Sequence, residues 1–371
     1  WPPAPTDEST RQTMQRLEFP LLSQSLGSQK TLVAFQFGDP QARPKVHVQA
    51  SLHAGELPGM LVSHHLRGLL QRAEANGQLL GQVVLVPAAN PIGLAQRVDH
   101  HVQGRFELAT SENFNRHYPD LTAAVWPQID GQLGADAEAN VAVVRTAMRQ
   151  WLEQWQPATE LESMRRRLLL LAHDADLSLD LHCDCESVIH LYCEEPCWPA
   201  LEPLARLLQC QAVLLAKDSG GGPFDERLSG IWWQLAQRLT AAGQSSPLPQ
   251  ACASTTVELR GEADVYHGLA RQDAEAILQF LVHAGVMRSD APTTLPALPC
   301  KATPLAGSQT LRSELPGVLV YLVQPGQSVA EGEVIAEVID PTAAEGSRVH
   351  HVKAGVAGVL YAIVRDRYVQ A

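Results

Sequence analysis

The sequence predicts an α/β fold, with a mixed central sheet covered by helices on both faces, followed by a small β domain. Two observations carry this prediction. From residue 45 onward, short β-like runs alternate with longer helical patterns, which is typical of a sheet with helices on either side. The last part of the chain consists instead of short β runs punctuated by glycine.

The predicted strands and helices follow from apolar periodicity and from the turn residues that bound each run. The first predicted helix begins at Pro58, since proline is favoured in a first helical turn. The strands are KVHVQASL from residue 45, QVVLVPAA at 82–89, DLSLDLHC at 176–183, SVIHLYC at 187–193, QAVLLAK at 211–217 and TTVELR at 255–260. The further helices cover about 136–155, 158–173, 198–209, 227–242 and 271–286. We assign these elements to one large domain over residues 1–288.

A proline-rich segment follows this domain. Residues 289–304, SDAPTTLPALPCKATP, contain four prolines, which favours a linker without regular structure. Within residues 305–371, GVLVYLV is loosely repeated by GVLYAIV, which suggests a small β-sandwich or barrel of two similar halves.

This tail resembles the biotinyl/lipoyl carrier fold, whose members present a modifiable lysine in the turn between the halves. The matching turn here reads Asp340, Pro341, Thr342, with proline in place of the lysine, and Lys353 lies too far along the chain. We therefore reject a swinging-arm role. We expect an unmodified β cap that packs on the main domain or on a second subunit, which leaves a homo-oligomer open.

Composition and charge exclude several classes of protein. The chain has 371 residues, 45% of them apolar, so it can bury a sizeable core. A formal net charge of −12 argues against a nucleic-acid surface, because phosphate contacts need clustered Lys and Arg. No apolar run approaches the ~18 residues of a membrane span. Seven cysteines at low density favour a reducing cytoplasm, so we expect a cytoplasmic protein with a small-molecule partner and no membrane partner.

Polar side chains stand at the ends of three predicted strands. SLHAGELPG at 51–59 places His53 and Glu56 three residues apart, SLDLHCD carries His182, and TTVELRG carries Glu258. Alternation in DLSLDLHC turns His182 away from the leucine row. Because ligands of open α/β sheets bind beyond the carboxyl ends of the strands, we expect these side chains to lie close together.

Two imidazoles and a carboxylate are the ligands of many catalytic zinc sites, in which a fourth position is left for water. His53, Glu56 and His182 fit that pattern and predict one zinc ion per chain. Glu258 would remain available as a general base toward water. By itself, the His-x-x-Glu pair is a weak signal in a chain with fourteen histidines, and a plain polar turn is the alternative.

Five short motifs follow one another along the chain: HAGE at 53–56, NPIG at 90–93, NFNR at 113–116, DLH at 180–182 and VELRG at 257–261. In this order they resemble the motifs of the succinylglutamate desuccinylase/aspartoacylase family, a branch of the zinc carboxypeptidase superfamily. The resemblance covers about residues 45–285, and the β tail also looks like the family's C-terminal domain. It implies a zinc carboxypeptidase-like fold for the large domain.

The resemblance also implies roles for matching residues. The three predicted ligands would hold zinc, and Glu258 would be the acid/base. Asn115 and Arg116 match a pair that grips a substrate carboxylate, for which a guanidinium fork is well suited. The superfamily has a further arginine that polarises the scissile carbonyl, and we choose Arg105 for it, with Arg97 in reserve.

The expected activity is therefore zinc-dependent hydrolysis of the amide bond in an N-acyl amino acid or a related small carboxylate-bearing amide. A zinc carboxypeptidase acting on peptides is the nearest alternative, and ester hydrolysis could use the same site. A non-catalytic zinc-binding module ranks lower, since every expected catalytic residue is present. The sequence leaves the acyl group and the amine half of the substrate open.

Overall fold

A computed structural model describes residues 14–289, 294–344 and 348–371 of the chain. Its strands are β1 (Gln15–Pro20), β2 (Thr31–Phe37), β3 (Lys45–Ala50), β4 (Gln82–Val86), β5 (Arg97–Val98), β6 (His101–Val102), β7 (Leu177–Asp184), β8 (Glu186–Ser187), β9 (His190–Glu194), β10 (Ala212–Ala216), β11 (Ala253–Gly261), β12 (Ala302–Pro304), β13 (Gly317–Tyr321), β14 (Ser328–Val329), β15 (Val334–Asp340), β16 (Arg348–Lys353), β17 (Gly358–Val359), β18 (Ala362–Ile363) and β19 (Tyr368–Val369). Its α-helices are α1 (Pro58–Ala75), α2 (Pro91–Ala95), α3 (Leu121–Ile129), α4 (Ala137–Gln154), α5 (Glu160–Ala172), α6 (Trp198–Leu208), α7 (Phe224–Ala241) and α8 (His267–His283).

The predicted mixed sheet with helices on both faces is confirmed. Nine strands form it in the order β1-β2-β4-β3-β7-β11-β9-β10-β12. One hydrophobic core lies between the sheet and helices α1, α6 and α8, and a second lies between the sheet and α3, α4, α5 and α7. The hairpin β1–β2 and helix α3 were not predicted.

The strand directions decide where functional side chains can meet. Strands β4, β3, β7 and β11 run parallel to one another, whereas β9 runs antiparallel to β11. The carboxyl ends of β3, β7 and β11 therefore reach the same edge of the sheet. The loop after β3, which carries His53 and Glu56, therefore lies at the same edge as His182 near the end of β7 and Glu258 near the end of β11.

A close contact draws the loop after β3 against the end of β7. Helix α1 begins at Pro58, and a Cβ atom added to Gly59 would lie 2.9 Å from the Leu181 carbonyl oxygen and 3.0 Å from the Ala50 Cβ. Only glycine permits this approach without a shift of the neighbouring backbone. The loop between β3 and α1 is thereby held beside β7.

The C-terminal part forms a four-stranded sheet, β16-β15-β13-β19, and a two-stranded pair, β14-β17, around a small core of its own. Its strand β18 pairs with β8 of the large domain. Within the described residues, none of the helices has the length and hydrophobicity needed to cross a bilayer.

The expectation that prolines prevent regular structure throughout 289–304 is wrong at its end. Residues Ala302–Pro304 form β12, which pairs in parallel with β10 at the edge of the large sheet. An edge strand tolerates proline because the missing N–H can face away from the ladder. Positions 290–293 of the predicted linker lie outside the described residues.

Candidate metal centre

The strand ends bring His53, Glu56 and His182 into one buried cluster. Their ligand atoms all lie within 4.8 Å of one another. The Glu56 carboxylate lies between the two rings: Oε1 is 2.9 Å from His53 Nδ1, and Oε2 is 2.7 Å from His182 Nδ1. The Cys183 backbone N–H also donates to Oε2 at 3.2 Å. Two imidazole nitrogens and one carboxylate thus face a common point.

The second nitrogen of each ring faces an oxygen of the protein. His53 Nε2 lies 2.9 Å from Asn113 Oδ1, and His182 Nε2 lies 3.1 Å from Asp180 Oδ2. Metal-binding histidines usually have an acceptor at one nitrogen, which leaves the lone pair of the other for the metal. Asn113 makes such a hydrogen-bond contact with His53, whereas Asp180 lies close to His182 without a hydrogen bond. The donor set and its surroundings therefore fit a divalent metal such as zinc.

The charges of the cluster point to the same conclusion. Burial alone would raise the pKa of Glu56, but His182 and His53 outweigh it and hold that pKa well below its usual range. Burial alone would lower the pKa of His182, but Asp180 and Glu56 raise it well above the usual value. A positive charge is thus favoured between two buried carboxylates, and a bound cation can take the place of the proton.

Glu258 lies beside this cluster on β11, directly opposite His182 of β7 in the parallel register. Its side chain is partly buried, and its buried Oε2 atom has no hydrogen-bond partner among the described residues. Burial raises the pKa of Glu258 to about 8, and the Glu56 carboxylate acts in the same direction. A carboxylate with a free oxygen and a raised pKa has the properties of a general acid/base.

A close backbone contact brings Arg105 to the cluster. Gly104 accepts a hydrogen bond from the Ala54 N–H at 2.9 Å, and a Cβ atom on Gly104 would overlap the Gly55 backbone. Arg105 Nη1 then lies 3.5 Å from Glu56 Oε1, while 58% of the arginine side chain stays exposed. The reserve candidate, Arg97, lies instead on the exposed strand β5 and donates to the His100 carbonyl.

The NFNR loop reaches the cluster through Asn115. Its Nδ2 lies 3.5 Å from His182 Nε2, and its Oδ1 accepts the Phe224 N–H at the start of α7. Arg116 donates to the Asn115 carbonyl oxygen at 2.7 Å, and its side chain lies against Gly221. Among the described contacts, none joins Arg116 to His53, Glu56 or His182.

Sequence reasoning missed the residues that orient the two rings. Alternation placed Asp180 on the same strand face as His182, but we assigned it no role. Asn113 stands in the NFNR motif, also without an assigned role. Its loop is held by Arg165 of α5, which donates to the Asn113 carbonyl at 3.2 Å and to Glu112 at 2.9 Å. No local sequence signal marks this contact, because the arginine lies on a distant helix.

Residues 42–284 match the family model of the succinylglutamate desuccinylase/aspartoacylase catalytic domain. The chain belongs to this family. The resemblance read from the five motifs is thereby confirmed, and the chain falls in a family of hydrolases that includes deacylases. The comparison with curated proteins gave no match.

Solved structures of similar proteins extend over nearly the whole chain. A protein assigned to the same family from Shewanella amazonensis SB2B is 27% identical, with a TM-score of 0.80 over 96% of both chains. One from Shewanella frigidimarina NCIMB 400 is 23% identical, with the same TM-score and coverage. The ectoine utilization protein EutE (DoeB) from Ruegeria pomeroyi is 15% identical, with a TM-score of 0.65 over 96% of this chain and 92% of that chain. The latter two establish a common fold alone.

Proposed function

We propose that the protein is a zinc-dependent deacylase that hydrolyses the amide bond of an N-acyl amino acid or a related small carboxylate-bearing amide. The observation that carries this proposal is the meeting of two Nδ1 atoms and a carboxylate beside the free oxygen of Glu258. In it, one zinc ion is held by His53, Glu56 and His182. Membership of the desuccinylase/aspartoacylase family supports the amide substrate.

When bound, zinc supplies Lewis acidity, which makes water more acidic and a carbonyl carbon more electrophilic. Glu258 accepts the proton of the attacking water as the new C–O bond forms. It then passes that proton to the nitrogen as the C–N bond breaks, so the products are a carboxylic acid and an amine. Arg105 places a guanidinium at the same cluster, where it can stabilise the negative charge that develops on the carbonyl oxygen.

Asn115 and Arg116 are proposed to bind the substrate carboxylate. Asn115 lies next to His182, and Arg116 follows it directly on a loop bonded to the glycine run at 220–222. A carboxylate fixed there would orient the amide relative to Glu258, which contributes to rate by positioning. Arginine suits this task because two parallel N–H groups match two carboxylate oxygens.

A hydrolysis screen tests the proposal. The zinc-loaded protein is offered acetyl, succinyl and longer-chain N-acyl amino acids, beside short peptides and carboxylate esters, and the released amine or acid is quantified. We expect release from at least one N-acyl amino acid at a higher kcat/KM than from any peptide. Release from peptides alone would favour a carboxypeptidase, and no release from any compound with zinc bound would refute the deacylase.

A further inference from the structure

Glu258 has a second histidine neighbour, on the side away from the metal cluster. In the antiparallel register of β11 and β9, Glu258 lies opposite His190, as it lies opposite His182 on β7. Directly opposite residues of adjacent strands place their side chains on the same face of the sheet. The three side chains thus form a row, with Glu258 in the middle. The proposed mechanism uses His182 and Glu258 but leaves His190 without a role.

His190 is fully buried, and polar groups of the chain face both of its ring nitrogens. Its Nδ1 lies 2.8 Å from the Val188 carbonyl oxygen, and its Nε2 lies 3.3 Å from Asp184 Oδ2. Burial alone would lower the pKa of His190, but the neighbouring carboxylates of Asp184 and Glu258 raise it above the usual value. An imidazole in this place favours one position of the Glu258 carboxylate by electrostatic attraction.

A tyrosine of the C-terminal domain packs against the His190 ring. The His190 ring packs edge-on against two tyrosines, Tyr192 of β9 at 5.3 Å and Tyr361 of the C-terminal domain at 5.2 Å between ring centroids. The Tyr361 hydroxyl lies 2.7 Å from Ser308 Oγ, and its carbonyl accepts the Val188 N–H at 2.9 Å. Since β18 also pairs with β8, the tyrosine is bonded to the segment that leads into β9.

We propose that His190, which lies next to Asp184 and is enclosed by Tyr192 and Tyr361, is a positioning residue for Glu258. Through Tyr361, the C-terminal domain determines how well the general base is aligned. This inference rests on the role proposed for Glu258, but it concerns a strand pairing of Glu258 and His190 that does not depend on the substrate. The C-terminal domain would then contribute to catalysis through Tyr361, in addition to pairing with the large domain through β18.

Kinetics of variants provide the first test, with the best substrate of the screen. Tyr361→Ala removes the ring against His190 and is expected to lower kcat roughly tenfold or more, while KM changes less than about threefold and zinc content stays at one per chain. Tyr361→Phe keeps the ring and should recover most of the loss. Tyr368→Ala, at a 63% exposed tyrosine of the same domain, is the matched control. The proposal would be overturned if kcat of Tyr361→Ala were unchanged, or if the substitution altered KM alone.

Imidazole ¹⁵N–¹H NMR provides a test that needs no substrate. The signals of His190 are identified by their absence from the spectrum of His190→Gln, and thermal melting verifies that each variant is folded. We expect those signals to shift in Glu258→Gln and in Tyr361→Ala, and to stay in place in Tyr368→Ala. If they do not move in Glu258→Gln, the two residues are uncoupled and the inference fails. If the expected signal shifts are observed but the screen finds no hydrolysis of any compound, only the deacylase proposal is refuted.

Discussion

The candidate metal cluster and the two arginines proposed to contact the substrate are constructed differently. His53, Glu56 and His182 are buried, stand at or just beyond strand ends, and each contacts at least two other polar groups. Arg105 and Arg116 stand on loops, and Arg105 is largely exposed. The register of the sheet thus sets the positions of the candidate metal ligands, whereas loop contacts determine which groups the arginines can reach. Substitutions should therefore separate metal binding and chemistry from substrate binding.

The largest effect is expected at the centre of the cluster. His182→Gln removes a proposed ligand and leaves the buried carboxylates of Glu56 and Asp180 without the positive charge between them. We expect zinc affinity to fall by more than the roughly 100-fold typical of losing a residue that merely orients a ligand, and hydrolysis to disappear. Zinc content after dialysis measures this, with His64→Gln on the exposed side of α1 as control. Retention of one zinc per chain would remove His182 from the ligand set.

Glu258→Gln should separate chemistry from metal binding. The amide keeps the shape of the side chain but cannot accept the proton, so turnover should fall at least about 10²-fold while zinc stays bound. Steady-state kinetics and metal analysis on the same sample measure both quantities, and Glu275→Gln on the exposed side of α8 is the control. Near-full activity would show that Glu258 is not the general base.

Arg105→Ala tests the more exposed of the proposed catalytic side chains. Loss of one group that stabilises the developing oxyanion should lower kcat by up to roughly 10²-fold, with little change in zinc content. Arg97→Ala is the matched control, because this arginine lies on the exposed strand β5 and should leave kcat unaltered. If kcat fell in Arg97→Ala and stayed unaltered in Arg105→Ala, the proposed role would belong to Arg97.

Arg116→Lys should have the smallest effect of the four substitutions, and it should change KM rather than kcat. Lysine keeps the charge but loses the planar fork, so KM for an N-acyl amino acid should rise about tenfold while kcat changes less than about threefold. Arg149→Lys on the exposed surface of α4 is the control. A fall in kcat at constant KM would place Arg116 in the chemical step and not in carboxylate binding.

The same contrast explains what the sequence could predict. Alternation along β7 and the parallel direction of its neighbours place His182 beside Glu258, and both follow from regular strand geometry. The approach of Arg105 depends instead on Gly104 lying against Gly55, and the position of Asn113 depends on Arg165 from another helix. Contacts between loops and distant helices leave no periodic signal, so sequence reasoning could choose Arg105 only by resemblance.

Elements at the margins of the sheet were also hard to foresee. The strands β1 and β12 lie at its two edges, and β1 exposes much of its surface. A strand with one neighbour and little burial carries a weak alternation of apolar and polar residues. Helix α3 contains Pro127, which argues against a helix when read locally, although the helix continues past it for two residues.

Strand β12 has a consequence for any attempt to separate the two domains. A protein shortened after residue 288 would lose Ala302–Pro304 along with the C-terminal part. The backbone groups of β10 that now pair with β12 would then face solvent as an open template for other chains. Self-association of such a fragment would reflect this uncovered edge rather than a failure of the large domain to fold. The more conservative cut lies after Pro304, where the large sheet keeps all nine strands.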